Sequence, residues 1–249
     1  MNRTRRLDPS EALETADGSS ELQLRVEDWR ASCVARAPSS APTLAPLPAL
    51  LRRRVSAVGQ EALQAAWTLQ PPPAARFVFC SRHGEFDRTL RLLKALATRE
   101  ELSPADFNLS VANALAGLLA IASKNTAGHT AIAAGDDSFA FGLLEAATCL
   151  ASRSDEQVLL VYFDDPLPAE YSELADGQQS ATVLAALLGQ PRGAGDDILL
   201  SPISAVDCAK RPRTPSHARD FLCFLTEGKE TLSAGRQIGW RYRYACAKY

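Results

Sequence analysis

An α/β fold is predicted by two strand–turn–helix units and a third, wholly apolar strand. Arg76-Phe-Val-Phe-Cys80 is β-prone and runs through the polar turn at residues 81–85 into an amphipathic stretch at 87–97. Thr130-Ala-Ile-Ala-Ala134 runs through Gly135, Asp136, Asp137 and Ser138 into a helical pattern at 139–150. Residues 157–163, Gln-Val-Leu-Leu-Val-Tyr-Phe, form the clearest buried strand, closed by Asp164, Asp165 and Pro166.

The remaining elements follow in order. Residues 1–20 are polar and read as a flexible lead-in to a domain spanning 21–249. Leu22, Leu24 and Val26 alternate with polar residues and predict a short first strand that reaches Trp29 and turns. Residues 38–48 are too proline-dense for helix and too apolar for a free linker, and are expected to lie against the surface. Leu50, Leu51, Val55, Val58, Ala62, Leu63, Ala66 and Trp67 recur at helical spacing, with Arg52, Arg53 and Arg54 on the polar face; Pro71, Pro72 and Pro73 stop that helix. Residues 107–122 are almost all small or apolar, so a helix there would be buried on most sides, in the core or at an interface. Strands are expected at 181–188 and 198–206 across a Gly/Pro turn, then a helix at 218–228 and a closing strand at 238–246. There is no internal repeat.

Composition narrows the function. The 249 residues carry 27 Lys and Arg against 29 Asp and Glu, a formal net charge of −2, which excludes a dedicated nucleic-acid binder. With 46% hydrophobic and 22% charged residues the chain can bury a full core. The six cysteines show no CxxC and no zinc-ligand spacing with histidine, so no metal site is expected, and free thiols in a reducing cytoplasm are the default. No secretory leader and no long apolar span are recognised.

Candidate chemistry centres on the turn at 135–138. A turn that opens a helix aims side chains and backbone N–H groups at whatever lies over the helix N-terminus, and a thiol there becomes a reactive thiolate. This turn offers Asp136, Asp137 and Ser138 instead, and Asp136 or Asp137 is expected to cap the helix. Ser138, His129 and Asp136 can be drawn as a hydrolase triad, but Gly-x-Ser-x-Gly is absent. Ser81 and Glu85 read as helix-start chemistry before His83 and Glu85 read as an acid/base pair, and His217, in a loop with Pro212 and Pro215, is expected in solvent. Cys80 and Cys149 read as small buried groups, and Asp164 with Asp165 as turn chemistry.

These residues carry a resemblance. Asn113-Ala-Leu-Ala-Gly117, Gly128, Ala134 to Ser138 and Glu145-Ala-Ala147 resemble, in order and spacing, the core of the β-ketoacyl synthase family with its thiolase-like fold. Residues 51–54 with Ser56, residues 81–85 with Arg88 and Thr89, Ser103-Pro104 with Phe107, Ser110 and Val111, and residues 166–168 with Tyr171 extend it. Together they resemble the short ketosynthase-like, chain-length-factor-like proteins of aryl-polyene and related lipid pathways, over roughly residues 22–246.

The resemblance implies half of a thiolase-like fold, a mixed sheet layered with helices. It implies a non-catalytic subunit that pairs with a catalytic ketosynthase and meets an acyl carrier protein, with no cofactor. Aligning Ser138 with the Ser of the family's Ala-Cys-x-Ser places Asp136 at the nucleophile position, where a carboxylate cannot form the thioester. The second-half motifs His-Gly-Thr-Gly-Thr and Asn-Phe-Gly-Phe-Gly are absent, and Ala112 stands where the subfamily usually has His. Asn113, Ala116, Gly117, Leu118 and Phe139 become candidates for the interface or acyl pocket, and Arg52, Arg53 and Arg54 for the carrier contact. The alternative is a stand-alone acyl-carrier-dependent decarboxylase or hydrolase using Asp136, Ser138 and His129.

Overall fold

The computed structural model describes residues 21–34, 53–152, 156–174, 180–193 and 195–245. The expected lead-in at 1–20, the segment at 38–48, Leu50, Leu51, Arg52 and Cys246 lie outside them.

The chain begins with β1 (Leu22–Val34), whose 13 residues run past the turn expected after Trp29. The alternation fades there, but ladder pairing carries the strand on, with a register shift at Glu27. Helix α1 (Ala57–Thr68) starts later than its apolar spacing predicts, because Ser56 Oγ accepts the Gly59 N–H at 3.1 Å and sets the first turn. Arg53 and Arg54 precede the helix and are exposed. Strand β2 (Arg76–Cys80) and helix α2 (Phe86–Thr98) stand as expected.

The stretch predicted as one helix at 107–122 is two, α3 (Pro104–Ser110) and α4 (Ala114–Ser123), bent by 95° about an extended Val111. Ser103 caps α3 with Pro104 at its first position, so α3 starts ahead of the apolar run. Nor is the stretch buried on most sides: Phe107 is 59% and Ile121 78% exposed. Strand β3 (His129–Ile132) leads through a single 3₁₀ turn, Gly135–Asp137, into α5 (Ser138–Ala151).

Strand β4 (Gln157–Asp164) is followed by a short 3₁₀ segment, Ala169–Leu174, and β5 (Ala181–Gly189). Strand β6 (Asp197–Ile203) ends before the expected residue 206, because Ser204 accepts the Asp207 N–H at 3.1 Å and opens α6 (Ala205–Ala209). Helix α7 (His217–Glu227) precedes the hairpin of β7 (Thr231–Ala234) and β8 (Gly239–Tyr244). The sequence reading missed β7, four residues whose pairing with β8 supplies what their pattern lacks.

Among the described residues eight strands form one mixed sheet in the order β3-β2-β4-β5-β1-β6-β8-β7; β2 pairs parallel with β3 and β4, and the other pairs are antiparallel. Strand alternation builds two cores. Val78, Cys80, Leu160, Tyr162, Leu184 and Ala186 face α5 and α7 on one side; Phe77, Phe79, Val161, Phe163 and Ala185 face α1 and α4 on the other. The carboxyl ends of β2, β3 and β4 share one edge of the sheet, where ligands gather in open α/β folds.

Among the described residues no single helix is long and apolar enough to cross a membrane.

Candidate functional site: the elbow before α5 and the sheet edge beside it

Three turns meet at the carboxyl ends of the parallel strands. After β2, Ser81 Oγ accepts the Gly84 N–H at 2.7 Å, and Gly84 takes a φ of +58° that suits glycine. After β4, the fully buried Asp164 accepts the His83 N–H at 3.0 Å, and its Oδ1 stands 3.6 Å from His83 Nδ1. Asp164 thus ties two turns together, a larger part than turn chemistry gave it. Ser81 closes its own turn at Gly84 and does not cap α2, contrary to expectation. Glu85 does not cap α2 with its side chain; it accepts from Ser56 Oγ at 2.6 Å and pairs with Arg88 at 3.2 Å.

After β3 comes the elbow, and each of its side chains is engaged. Asp136 pairs with Arg82 Nη1 at 2.9 Å. Asp137 forms no side-chain cap on α5, contrary to expectation; its carboxylate crosses to the β7–β8 turn and accepts the Arg236 N–H at 2.9 Å and the Gln237 N–H at 2.7 Å. Those two N–H groups answer its charge more fully than the helix end would. Ser138 Oγ, fully buried, accepts the Ala134 N–H at 2.9 Å and donates to the Gly135 carbonyl at 2.7 Å. His129 sits at the far end of β3, in register with Phe77. The triad of Ser138, His129 and Asp136 is therefore not assembled.

His217 is buried, not solvated, and only 1% exposed: Nδ1 is 2.6 Å from Ser233 Oγ and Nε2 is 3.2 Å from Asp137 Oδ1. Burial pushes its pKa below the ordinary value, while the neighbouring Asp137, Asp220 and Asp136 pull the other way. Nothing local marks this residue in the sequence, because its partners lie 16 and 80 positions away. Cys80 is buried as expected, and desolvation raises its thiol far above the ordinary value, so it is inert; Cys149 is half-buried in α5.

Of the five candidates for the interface or acyl pocket, Asn113, Ala116, Gly117 and Leu118 lie together at the start of α4, and Phe139 lies apart on α5. Phe139 packs in the α5 core against Tyr162 and Phe221, with ring centroids 5.8 and 5.5 Å apart. Ala116 is buried in the opposite core, so the sheet stands between them. Asn113 is exposed, and Gly117 and Leu118 are half-buried on α4. What the sequence did not point to is an open groove of about 450 Å³ lined by Ile132 and Ala134 beside β3, Phe141, Leu144, Glu145 and Thr148 on α5, and Gln237 from the β7–β8 turn. The four α5 residues share one helical face, a signal hidden because the whole helix is apolar. Strand β3 is an edge strand among the described residues, half-exposed along its length. Of the arginine trio, Arg53 and Arg54 present exposed guanidinium groups.

The family described as beta-ketoacyl synthase, N-terminal domain, matches residues 27–242. No curated protein matches the chain. A chain in the structure of the ketosynthase ApeO in complex with its chain length factor ApeC, from Xenorhabdus doucetiae, is 27% identical with a TM-score of 0.74, the match covering 89% of this chain and 99% of that one. The ishigamide ketosynthase/chain length factor is similar at 14% identity and a TM-score of 0.56, over 76% of this chain and 72% of that one. AntDE:AntF, a type II polyketide acyl-carrier protein in complex with its ketosynthase, is similar at 11% identity and a TM-score of 0.52, over 69% and 63%. The last two likenesses show the fold alone.

Proposed function

Because the chain belongs to the beta-ketoacyl synthase N-terminal domain family, we propose that it is a non-catalytic, chain-length-factor-like subunit of a ketosynthase pair. It joins a catalytic β-ketoacyl-ACP synthase and helps shape the acyl pocket during polyketide or fatty-acid-type elongation of the aryl-polyene kind. The observation that carries this reading is the elbow. At the helix N-terminus where a nucleophile would stand, Asp136 is held by Arg82, Asp137 by the hairpin and Ser138 by its own turn. A carboxylate at the Asp136 position forms no acyl thioester, and the buried serine hydroxyl spends its hydrogen on the Gly135 carbonyl. The likeness to a chain from the ApeO–ApeC complex, over nearly that chain's whole length, supports the pairing.

The edge strand β3 and the apolar groove beside it are the surface this reading assigns to the ketosynthase. An unpaired strand edge offers a row of N–H and C=O groups to a partner, and Ile132, Phe141 and Leu144 offer apolar area next to it. Ile121, exposed on α4, which packs against β3, adds apolar surface to the same side of the molecule. Arg53 and Arg54 remain the proposed contact for the phosphopantetheine or acidic helix of an acyl carrier protein.

The test is co-expression with candidate ketosynthases, the mass of the complex by size exclusion with light scattering, and elongation assays with and without the chain. A stable complex whose elongation depends on this chain and survives Asp136→Ala is expected. A chain that stays alone, turns over an acyl-carrier substrate and loses that turnover in Asp136→Ala would instead be an enzyme in its own right.

A further inference from the structure

The elbow is wired to the rest of the molecule through a buried polar chain that the pairing role does not require. Asp137, His217, Ser233 and Asp220 come from the 3₁₀ turn, the first and second turns' worth of α7, and β7, and they touch in sequence. Ser233 Oγ donates to Asp220 Oδ2 at 2.7 Å. The 2.6 Å contact between Ser233 and His217 is then filled by Nδ1–H donating to the hydroxyl oxygen. A neutral imidazole has one hydrogen, so Nε2 faces Asp137 Oδ1 with a lone pair, and that contact is the longest of the three at 3.2 Å. Three contacts call for three protons; Ser233 and a neutral His217 supply two.

The missing proton has one place to go. Asp137 already accepts the Arg236 and Gln237 N–H groups, so the contact that lacks a hydrogen is the one at His217 Nε2. The groups around the imidazole are Asp137 and Asp136 at the elbow, Asp220 on α7 and Ser233 on β7; the Tyr242 hydroxyl on β8 lies by Ser233 and Asp220, and the Cys208 thiol of α6 by Asp137. The carboxylates favour the imidazolium and burial opposes it. The contact also depends on Gly235, because a Cβ there would collide with both Asp137 Oδ1 and His217 Nε2.

We infer that these four residues form a proton-responsive relay that positions Gln237 in the wall of the groove, with His217 Nε2 as the atom that takes up the proton. On protonation Nε2–H donates to Asp137, the carboxylate gains a third donor, and the β7–β8 turn it holds by Arg236 and Gln237 shifts with it. Asp137 and His217 are positioning residues here; neither reaches the groove itself. The effect on pairing rests on the reading of the groove as the ketosynthase-facing surface, whereas the relay does not.

The experiment is a pH titration of the full chain, histidine-labelled for imidazole NMR and uniformly labelled for amides, with His217→Gln to assign the signal. Glutamine places an N–H toward Asp137 at every pH, as only the protonated imidazole does, and does not titrate. The expected result is an Nδ1–H tautomer for His217 at neutral pH, an imidazole transition on acidification, and shifts of the Arg236 and Gln237 amides with the same midpoint, absent in His217→Gln. An Nε2–H tautomer at neutral pH, or amides that ignore the imidazole, overturns the relay; His217→Asn, which keeps the Ser233 contact alone, gives the same comparison should His217→Gln fail to fold. In parallel, affinity for the ketosynthase is measured at about pH 7.5 and at a pH below the imidazole midpoint found by NMR, and it should change by about fivefold or more in the native chain and not in His217→Gln. A relay that titrates beside an affinity that stays flat supports the relay and overturns the groove as the pairing surface.

Discussion

Gly142 packs against Cys80 so closely that a Cβ on the glycine would stand 2.6 Å from the thiol sulfur. Helix α5, which carries the elbow at its first turn, is seated on β2 through this contact. Gly142→Ala gains about 1 kcal/mol of helix propensity but must push a buried sulfur out of a filled core, which costs about 1–3 kcal/mol. Net destabilisation of up to about 2 kcal/mol is expected in urea unfolding. In a Cys80→Ala background the penalty should shrink, leaving the milder contacts with the residue-80 Cβ at 3.0 Å and Leu160 Cδ1 at 3.3 Å; an equal penalty in both backgrounds would show that the sulfur is not the obstacle.

Arg88 joins three segments. Its guanidinium, 3% exposed, pairs with Glu85 at 3.2 Å and Asp106 at 2.5 Å and donates to the Arg54 carbonyl. Arg88→Ala leaves the Glu85 carboxylate buried without its cation and should cost about 3–5 kcal/mol. Pairing it with Glu85→Gln should recover part of that loss, measured by chemical denaturation.

Acid should destabilise the chain in two separate windows. Burial holds His217 below its ordinary 6.5, so as the pH falls below about 6.5 the unfolded chain takes up a proton that the folded chain resists, and stability declines. Hydrogen bonds from Ser201 and then Arg243 hold Glu21 below its ordinary 4.5, so its contribution is present above that value and is lost as the pH falls through the depressed pKa. Thermal melts across pH should show both declines; His217→Gln should remove the upper one and Glu21→Gln the lower.

Phe141 lines the groove without belonging to either core. Phe141→Glu should leave the melting temperature within a few degrees and weaken pairing with the ketosynthase by about 2 kcal/mol or more, read by titration calorimetry. Asp136→Ala, which removes a partly exposed ion pair with Arg82, should cost less than about 1 kcal/mol and leave pairing intact. Opposite outcomes would move the interface from the groove to the elbow.

Much of the architecture was legible because its causes are local. The two strand–turn–helix units, the buried strand β4 and the helix after Ser216 all follow from side-chain period and from residues that cap or break an element. The misreadings fall where a ladder partner or a single cap outweighed the pattern. Strand β1 runs on beside β5, β7 exists because β8 pairs with it, and the apolar run at 107–122 breaks at Val111 although its composition continues. The candidate site was legible in its address and illegible in its wiring. Residues 135–138 do open a helix at the carboxyl edge of the parallel strands, and no cysteine stands there.

By itself the sequence determined the α/β class, the place of the elbow and the carboxylates at its tip, since each depends on residues within a few positions of one another. The tertiary structure alone decided that Asp137 reaches the hairpin instead of capping its helix, that His217 is buried, that Phe139 and Ala116 lie on opposite faces of the sheet, and that a groove opens beside β3. Those outcomes depend on contacts between segments as much as 100 residues apart, where a side chain's partner is set by which strands pair and not by its neighbours in the chain.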